Sequence, residues 1–336
     1  MRDTRADRHT VHGKLLALTA GRPVVFVLRA LGLGDLLTGI PALRGVRSAF
    51  PDAEMVLATS DRLAPLVRLA RVVDRVTSLA GLDEVPAAPR RVDVAVNLHG
   101  RGPQSHRLLR ALQPHRLVTF SDDNLLPDAP RWRPDEHEVS RWCRLVAESF
   151  GVPVDPGALD LDVPSAPSPA PGAVVVHPGA AHLARRWPPE RFAAVASWAT
   201  ARGLDVVITG SAQEYDLASR VAALAGLGPG AVLGGRLSLD QLAALVAEAA
   251  VVVSGDTGVS HLATAYRTAS VTLFGPTPPS LWGPPARPQH VCLWHGTSTG
   301  DPWADTVDPA LLAIDVDEVT GALASLLAKG SPAGTG

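Results

Sequence analysis

The sequence predicts an α/β protein built from two Rossmann-like domains that face one cleft. Strand and helix patterns alternate along the chain, which is typical of parallel sheets covered by helices. A proline-rich stretch at 164–172 interrupts the alternation, which then begins again. In each half an apolar β-branched strand ends in small residues and passes directly into a helix, at 24–35 and at 251–258.

Length and composition fit a globular protein of two domains. The chain has 336 residues, 46% hydrophobic and 19% charged. A formal net charge of −2 gives no basis for nucleic-acid binding. No apolar run approaches the ~20 residues that span a bilayer. The two cysteines lack metal-site spacing, so the sequence predicts a cytoplasmic protein, with peripheral contact at the inner face of the membrane as the most that is expected.

The predicted domain boundaries follow the changes in composition. Residues 1–22 are expected to be a flexible lead-in and 23–163 the first domain. Residues 164–172 form a linker, because this stretch suits neither a helix nor a central strand. Residues 173–314 form the second domain. Residues 315–336 form a last helix and tail, for which packing back across the first domain is one option.

Hydrophobic periodicity predicts the individual elements. In the first domain, apolar residues recur at helical spacing after the first strand, and Gly151 and Pro153 end the last helix. The predicted strands there are 24–29, 54–59, 92–98 and 117–120, and the helices are 35–50, 63–69, 107–112 and 139–150. In the second domain the predicted strands are 174–177, 205–209, a short one near Val232, 251–254 and 270–274, and the helices are 190–201, 214–225, 239–249, 260–266 and 316–328.

Asp35 is the first candidate for chemistry. It follows the glycines of the turn after the first strand, and ligands of open α/β sheets bind beyond the carboxyl ends of strands. Its carboxylate is therefore expected to face the cleft. The alternative is a helix N-cap, for which Asp is favoured, and position alone leaves the two open. Leu37 stands where the third glycine of a dinucleotide fingerprint belongs, so that motif is absent.

Charged residues also follow strands of the second domain. Arg185 and Arg186 come just before a helix that begins with proline, and their forked donors suit phosphate oxygens. The alternative is a solvated basic loop. Glu214 follows Gly210 and Ser211, where it could accept hydrogen bonds from a ribose or cap its helix. Position alone favours the cap.

The turn after strand 251–254 is the strongest candidate for phosphate binding. Asp256, Thr257 and Gly258 lead directly into a helix, and glycine permits close approach of a ligand to the backbone. His261 lies in the first helical turn, where it could face a ligand or be a satisfied, partly buried histidine. Asp160-Leu161-Asp162 has the form of a metal-binding acidic pair, but it lies near the linker and is interpreted as surface.

A polar loop after strand 92–98 is the candidate for the second substrate. It carries His99, Arg101 and Gln104, which together with Gly34 are the candidate acceptor residues. A solvated loop is the alternative.

Four groups of residues, taken in order, carry a resemblance. They are Leu33-Gly34-Asp35-Leu36 with Pro41-Ala42-Leu43, His137-Glu138-Val139, Pro178-Gly179 with Arg185-Arg186-Trp187-Pro188, and residues 254–261 with Phe274-Gly275-Pro276-Thr277. From Val24 onward the chain resembles glycosyltransferase family nine, the ADP-heptose:lipopolysaccharide heptosyltransferase-like enzymes.

This resemblance implies a transferase of the glycosyltransferase B-type fold, with the nucleotide-sugar donor on the second domain and the acceptor on the first. It implies inversion at the anomeric carbon, ADP-heptose as donor, and neither a metal nor another cofactor. Asp35 matches the general base, and Arg185 stands where the family commonly has a lysine that reaches the donor phosphates. Glu214 then matches a nucleotide-binding acid and Asp256 a sugar-contacting acid. Thr257, Gly258 and His261 match the diphosphate-binding turn.

The acceptor and two other functions stay open. The acceptor is expected to be a glycan, a glycolipid or a small molecule with a free hydroxyl. A nucleotide-sugar epimerase of the same fold would release nucleotide without any acceptor. A non-catalytic nucleotide-sugar-binding protein would keep the turn at 256–258 and lack turnover, which the presence of Asp35 argues against.

Overall fold

Two parallel sheets form the framework of the chain. The computed structural model describes residues 21–79, 81–83, 87–121 and 126–330. Contacts divide the chain into two units, the first ending at Leu159 and the second beginning at Asp160, and each has a five-stranded sheet. Most of the predicted lead-in at 1–22 and the end of the predicted tail lie outside the described residues.

The strands of the first sheet are β1 (Val24–Leu28), β2 (Glu54–Thr59), β3 (Arg75–Ser78), β4 (Val94–Asn97) and β5 (Arg116–Val118). Their order in the sheet is β3-β2-β1-β4-β5, with all neighbours parallel. The order reverses between β1 and β4, since successive strands are added first on one side of β1 and then on the other. The sequence missed β3, a four-residue strand of partly exposed side chains that lacks an apolar run.

Four helices follow strands of this sheet within the described residues: α1 (Leu33–Ala49), α2 (Ala64–Ala70), α3 (Gln104–Ala111) and α4 (Glu138–Phe150). Helices α1 and α4 pack closely at Gly45, where a Cβ atom would lie 2.6 Å from Val154 and 3.0 Å from Val146. Helix α3 begins three residues before its predicted start, so it follows directly on the polar loop.

The strands of the second sheet are β6 (Val174–His177), β7 (Val206–Ile208), β8 (Val251–Gly255), β9 (Ser270–Leu273) and β10 (His290–Leu293). Their order is β10-β9-β8-β6-β7, again all parallel, and it reverses between β6 and β8. The edge strand β10 was not predicted. Val232 makes only an isolated bridge to Ile208, so the predicted short strand there is wrong; one paired residue does not form a ladder.

The helices of the second unit are α5 (Pro189–Thr200), α6 (Tyr215–Leu224), α7 (Leu239–Ala247), α8 (Gly258–Ala265), α9 (Pro279–Trp282), α10 (Pro309–Leu312) and α11 (Val316–Gly330). The sequence left open whether the last helix, α11, packs across the first domain. Val319, Leu323 and Leu326 of α11 are buried in the core of the second unit, where α11 packs on α5 and on strands β8 and β9. This apolar face is therefore covered by the second unit.

Residues 160–163 lie with the second unit, whereas the sequence assigned them to the first. Asp160 forms an ion pair with Arg267, and the Leu161 N–H donates to the Ala265 carbonyl at 3.3 Å. These bonds attach the segment to the end of α8. The proline-rich stretch 164–172 has neither helix nor strand. In the described part of the chain, no helix is both long and apolar enough to cross a membrane.

Candidate functional site

Asp35, His99 and the turn at 256–258 follow strands at the two points where strand order reverses, and Glu214 follows the edge strand β7. In open α/β sheets, the crevice for ligands lies outside the carboxyl ends of the strands at such a point. Asp35 and His99 follow β1 and β4, which are neighbours in the first sheet. The turn at 256–258 follows β8, and its neighbour β6 ends at His177. The topology therefore brings each predicted group to a strand edge that suits a ligand.

Asp35 lies in the first turn of α1 and is half-buried. Its carboxylate Oδ2 accepts a hydrogen bond from the Gly32 N–H at 3.1 Å. The N-cap position itself is occupied by Gly32, so the alternative of Asp35 as N-cap is wrong by three residues, although its carboxylate does bind the helix start. Burial raises the pKa of the Asp35 carboxyl above its ordinary value; Arg29 opposes this and Glu138 adds to it. A more basic carboxylate is suited to accept a proton.

Hydrogen bonds tie the His99 loop to the Asp35 turn. The Ala30 N–H donates to His99 Nδ1 at 3.2 Å, and the fully buried Asn97 side chain holds the loop by bonding Gly100, Ser105 and Thr119. Burial and the nearby Arg29 lower the pKa of His99 to about 4, so the ring is neutral at pH 7.

The other predicted acceptor residues lie near these two turns. Because His99 Nδ1 accepts a bond, the proton of the neutral ring sits on Nε2, which is a hydrogen-bond donor. Gly34 is in the first turn of α1, beside Asp35. Arg101 is exposed farther along the loop, and Gln104 is exposed at the first position of α3.

Glu214 lies against the chain that leaves β6. Its Oε2 accepts the Ser211 N–H at 2.8 Å, and a Cβ atom on Gly179 would overlap its carboxyl group. Gly210 packs on the same side chain, where a Cβ atom would lie 3.2 Å from Glu214 Cβ. Glycine at 179 therefore makes the space in which this carboxylate sits. Glu214 does bind the start of its own helical turn, as the capping alternative predicted, and it also lies at the edge of the sheet.

The charge of Glu214 depends on its neighbours. Burial acts to raise the pKa of Glu214, but the hydrogen bond from the Ser211 N–H and the charge of Arg186 contribute to lowering it below its ordinary value. His177 is buried and its Nδ1 lies 2.9 Å from Thr209 Oγ1. Burial lowers the pKa of His177, so this ring is neutral at pH 7. The Ser211 N–H and Arg186 therefore keep Glu214 ionised.

The turn after β8 has the features of an anion site. Thr257 is the N-cap of α8, and Gly258 is its first residue, two positions before the predicted start. The first N–H groups of a helix have no partner within it. The Thr257 hydroxyl oxygen is buried and has no hydrogen-bond partner among the described residues. Asp256 and His261 are both buried, with His261 Nε2 4.0 Å from Asp256 Oδ1 and its ring centre 5.9 Å from that of Trp282.

Arg185 is brought to this turn by close backbone packing. It ends a short helical turn, Leu183–Arg185, and a Cβ atom on Gly255 would lie 3.1 Å from its carbonyl oxygen. Its Nε is buried without a partner among the described residues. Arg186 instead donates from Nε to the Ala180 carbonyl at 2.7 Å. The two adjacent arginines therefore differ: Arg186 holds its own loop, whereas Arg185 lies beside the turn at 256–258.

Sequence reasoning missed the buried residues beneath Asp35. Arg29, which ends the first apolar strand, is fully buried and paired with Glu138 of α4. Its burial could be suspected from the unbroken apolar run before it, but its partner lies 109 positions away. Among the described residues, no group of three or more His, Cys, Asp or Glu side chains could hold a metal ion.

Comparisons with known proteins agree on one family. The sequence pattern of glycosyltransferase family 9 (heptosyltransferase) matches residues 123–303, more than half of the chain. Lipopolysaccharide heptosyltransferase 1 of Pseudomonas aeruginosa is 36% identical over 160 residues, which cover 46% of this chain and 44% of that protein. Lipopolysaccharide heptosyltransferase 2 of Escherichia coli is 29% identical over 43% of each chain. The matched region thus spans less than half the length of these relatives.

Solved structures confirm the fold class. ADP-heptose lipopolysaccharide heptosyltransferase II of E. coli matches with a TM-score of 0.73 at 20% identity, over 91% of this chain and 98% of that one. A family 9 glycosyltransferase of Veillonella parvula matches with a TM-score of 0.75 at 20% identity, over 93% and 99%. The fold is therefore the predicted glycosyltransferase B-type α/β fold with two parallel five-stranded sheets. Together with the sequence match, this shows that the chain belongs to glycosyltransferase family 9, the heptosyltransferase family.

Proposed function

We propose that the protein transfers heptose from ADP-heptose to a hydroxyl group of an acceptor, with inversion and without a metal. The names of its relatives support the donor: they are lipopolysaccharide heptosyltransferases, and E. coli heptosyltransferase WaaC has been solved with ADP and with ADP-2-deoxy-2-fluoro heptose. The observation that supports a catalytic role is the environment of Asp35. Its carboxylate is half-buried, has a raised pKa and lies beyond the carboxyl end of β1 in the first unit.

The donor binds the second unit in this proposal. The N–H groups that begin α8 and the Arg185 guanidinium bind the diphosphate, because a helix N-terminus and a forked cation both favour phosphate oxygens. The buried Thr257 hydroxyl supplies a further polar group there, with Gly258 and His261 beside it. Asp256 contacts the sugar.

Glu214 binds the nucleotide, together with the turn Gly210–Ser211. Its carboxylate is ionised and fixed by the Ser211 N–H, so it is an acceptor of hydrogen bonds held in one place. Two adjacent ribose hydroxyls are donors of the kind that such a carboxylate binds.

The acceptor binds the first unit. Asp35 removes the proton of the acceptor hydroxyl while that oxygen attacks the anomeric carbon from the face opposite the diphosphate. Negative charge then grows on the leaving diphosphate, where Arg185 and the start of α8 stabilise it. The hydroxyls of a glycan, glycolipid or small-molecule acceptor are bound by four groups of this unit. These are the Gly34 backbone, the His99 imidazole, the Arg101 guanidinium and the Gln104 amide. We place this reaction in the cytoplasm or at the inner face of the membrane.

A two-step screen tests the proposal. Calorimetry with ADP-, UDP-, GDP- and dTDP-sugars is expected to give the tightest binding for ADP-heptose. Acceptor hydroxyl compounds are then added with ADP-heptose, and mass spectrometry is expected to find a heptosylated product of inverted anomeric configuration. Release of nucleotide without any acceptor would instead indicate an epimerase, and binding without turnover would indicate a non-catalytic protein.

Gly179→Ala is expected to weaken ADP binding about 10- to 100-fold, the value of a hydrogen bond to a charged group. The new methyl group takes the space of the Glu214 carboxylate and displaces it. The displaced atoms are the end of a flexible side chain, but they lose the hydrogen bond from the Ser211 N–H, so the free energy of unfolding should fall by about 1 kcal/mol. Calorimetric titration with ADP measures the effect.

Gly230→Ala is the matched control, because a Cβ atom at Gly230 meets nothing within 4 Å. It should bind ADP like the unmodified protein. A folded Gly179→Ala variant with unchanged ADP affinity would remove Glu214 from the nucleotide site.

A further inference from the structure

Arg29 occupies an unusual place for a charged side chain. It directly follows the central strand β1, and its side chain is 0% exposed. Its guanidinium donates to the main-chain carbonyls of Asp35 and Leu98, and to Thr38 Oγ1 at 3.0 Å. Asp35 belongs to the turn after β1, and Leu98 directly precedes His99 in the turn after β4. One side chain thus binds both turns at the point where the strand order reverses.

Glu138 holds the far side of this guanidinium. It is the first residue of α4, and its Oε1 lies 3.3 Å from Arg29 Nη2. The same oxygen accepts the Trp142 indole N–H at 2.6 Å, and the other oxygen pairs with Arg141. The Trp142 ring also lies 5.1 Å from Arg29 Cζ. Glu138 therefore has a fixed place, set by its own helix.

The helix that carries Asp35 leaves room for Arg29. A Cβ atom on Gly39 would lie 2.6 Å from Arg29 Nε and 2.7 Å from Cδ. Because Arg29 is fully buried and bonded on several sides, it could not move aside at low cost. A glycine in the middle of a helix is destabilising relative to alanine, so α1 is less stable for making this space.

A buried ion pair is weak evidence for stability, because desolvation offsets much of the attraction between its charges. Such pairs are better explained by the arrangement that they specify. We propose that Arg29, held by Glu138, is a positioning residue that fixes the Asp35 turn and the His99 turn in one arrangement. The inference rests on the proposed role of Asp35 as the base.

The pair also sets the charge around Asp35. The charged groups that act on it are Arg29, which follows β1, and Glu138 of α4. Glu138 raises the pKa of Asp35 and Arg29 lowers it. Removal of the Glu138 charge should therefore lower the pKa of Asp35, both because the acid is gone and because Arg29 is left uncompensated.

Two variants separate the charge of the pair from its geometry. Glu138→Gln keeps an oxygen for the Trp142 indole but loses the charge. Arg29→Lys keeps the charge, but one ammonium group cannot reach both main-chain carbonyls. Glu136→Gln is the matched control. Glu136 forms an ion pair at 2.7 Å with Arg144, which lies in the same helix as Glu138, and it is not among the groups that shift the pKa of Asp35.

The experiment follows the Asp35 carboxyl by NMR titration of full-length protein labelled with ¹³C at aspartate Cγ, the signal being assigned with Asp35→Asn. Turnover of ADP-heptose and calorimetric binding of ADP are measured alongside. We expect Glu138→Gln to lower the pKa of Asp35. We expect Arg29→Lys to reduce kcat about 100-fold, as a displaced catalytic group does, with ADP affinity unchanged. Glu136→Gln should change none of these.

The outcomes distinguish this inference from the proposed function. An unshifted Asp35 pKa in folded Glu138→Gln, or full turnover in Arg29→Lys, would overturn the positioning role; the lysine variant decides the matter if the glutamine variant does not fold. Full turnover in Asp35→Asn would instead overturn the role of Asp35 as base, while the NMR titration would still show whether the pair acts on that carboxyl.

Discussion

Asp35→Asn is expected to lower kcat about 10²- to 10⁴-fold, the range that a positioned general base contributes. Asparagine has almost the shape of aspartate, and its amide oxygen can still accept the Gly32 N–H that binds the Asp35 carboxylate at 3.1 Å. The start of α1 should therefore stay intact. ADP affinity should also stay unchanged, because the donor binds the second unit in the proposed function.

The pH dependence of turnover gives an independent check on the same residue. The base must be ionised to accept a proton, so kcat falls as pH drops through its pKa. Burial raises the pKa of Asp35, with Arg29 opposing and Glu138 adding to it. The acid limb of kcat is therefore expected at higher pH than an ordinary aspartate would give. Initial rates of ADP release from ADP-heptose with acceptor, measured across pH, locate this limb.

Asp61→Asn is a suitable control, since Asp61 is also an acid in the first turn of a helical segment of the same unit, but an exposed one. It should retain full turnover and the same acid limb. Undiminished turnover in folded Asp35→Asn would show that another group accepts the proton.

Much of the fold could be predicted because the central strands are apolar. The runs that became β1, β6 and β8 are buried on both faces, so each reads as a continuous β-branched stretch. The edge strands β3 and β10 are short and partly exposed, and no such pattern marks them. The short strand predicted near Val232 is only a single bridge to Ile208.

The candidate site could be predicted in part for a related reason. Ligands of open α/β sheets bind beyond the carboxyl ends of the strands. Asp35, Glu214 and Asp256 come after apolar strands, so this rule was enough to select them as candidates. Contacts between distant positions have no such signal. The pair of Arg29 with Glu138 depends on how α4 packs, and nothing near Arg29 in the sequence indicates its partner.

The two adjacent arginines show the same limit. By residue type alone, Arg185 and Arg186 are equally suited to bind phosphate, and only the family resemblance favours Arg185. The structure separates them because Arg186 turns back to the Ala180 carbonyl, whereas Arg185 packs beside Gly255. The fold of the short turn at 183–185 determines which of the two arginines can face a ligand. The residue types alone do not indicate it.

Arg185→Ala is expected to lower kcat about 10²- to 10³-fold, the cost of removing one donor that stabilises charge in a transition state. The leaving diphosphate gains negative charge as the bond to the sugar breaks, and the Arg185 backbone packs against Gly255, next to the turn that we assign to the diphosphate. Free ADP carries that charge as well, so ADP affinity should fall together with kcat. This loss in both quantities differs from Asp35→Asn, for which only kcat should fall.

Arg185→Lys tests the geometry at the same position. Lysine keeps the charge, but it offers a point donor in place of a fork. We expect it to recover most of the ADP affinity lost in the alanine variant. Arg220→Ala is the control, because Arg220 is an exposed arginine of the same unit that pairs with Glu190. Calorimetry with ADP and steady-state rates decide the matter. An Arg185→Ala variant that binds ADP normally would show that Arg185 does not contact the diphosphate, and the start of α8 alone would then stabilise the charge that grows on it.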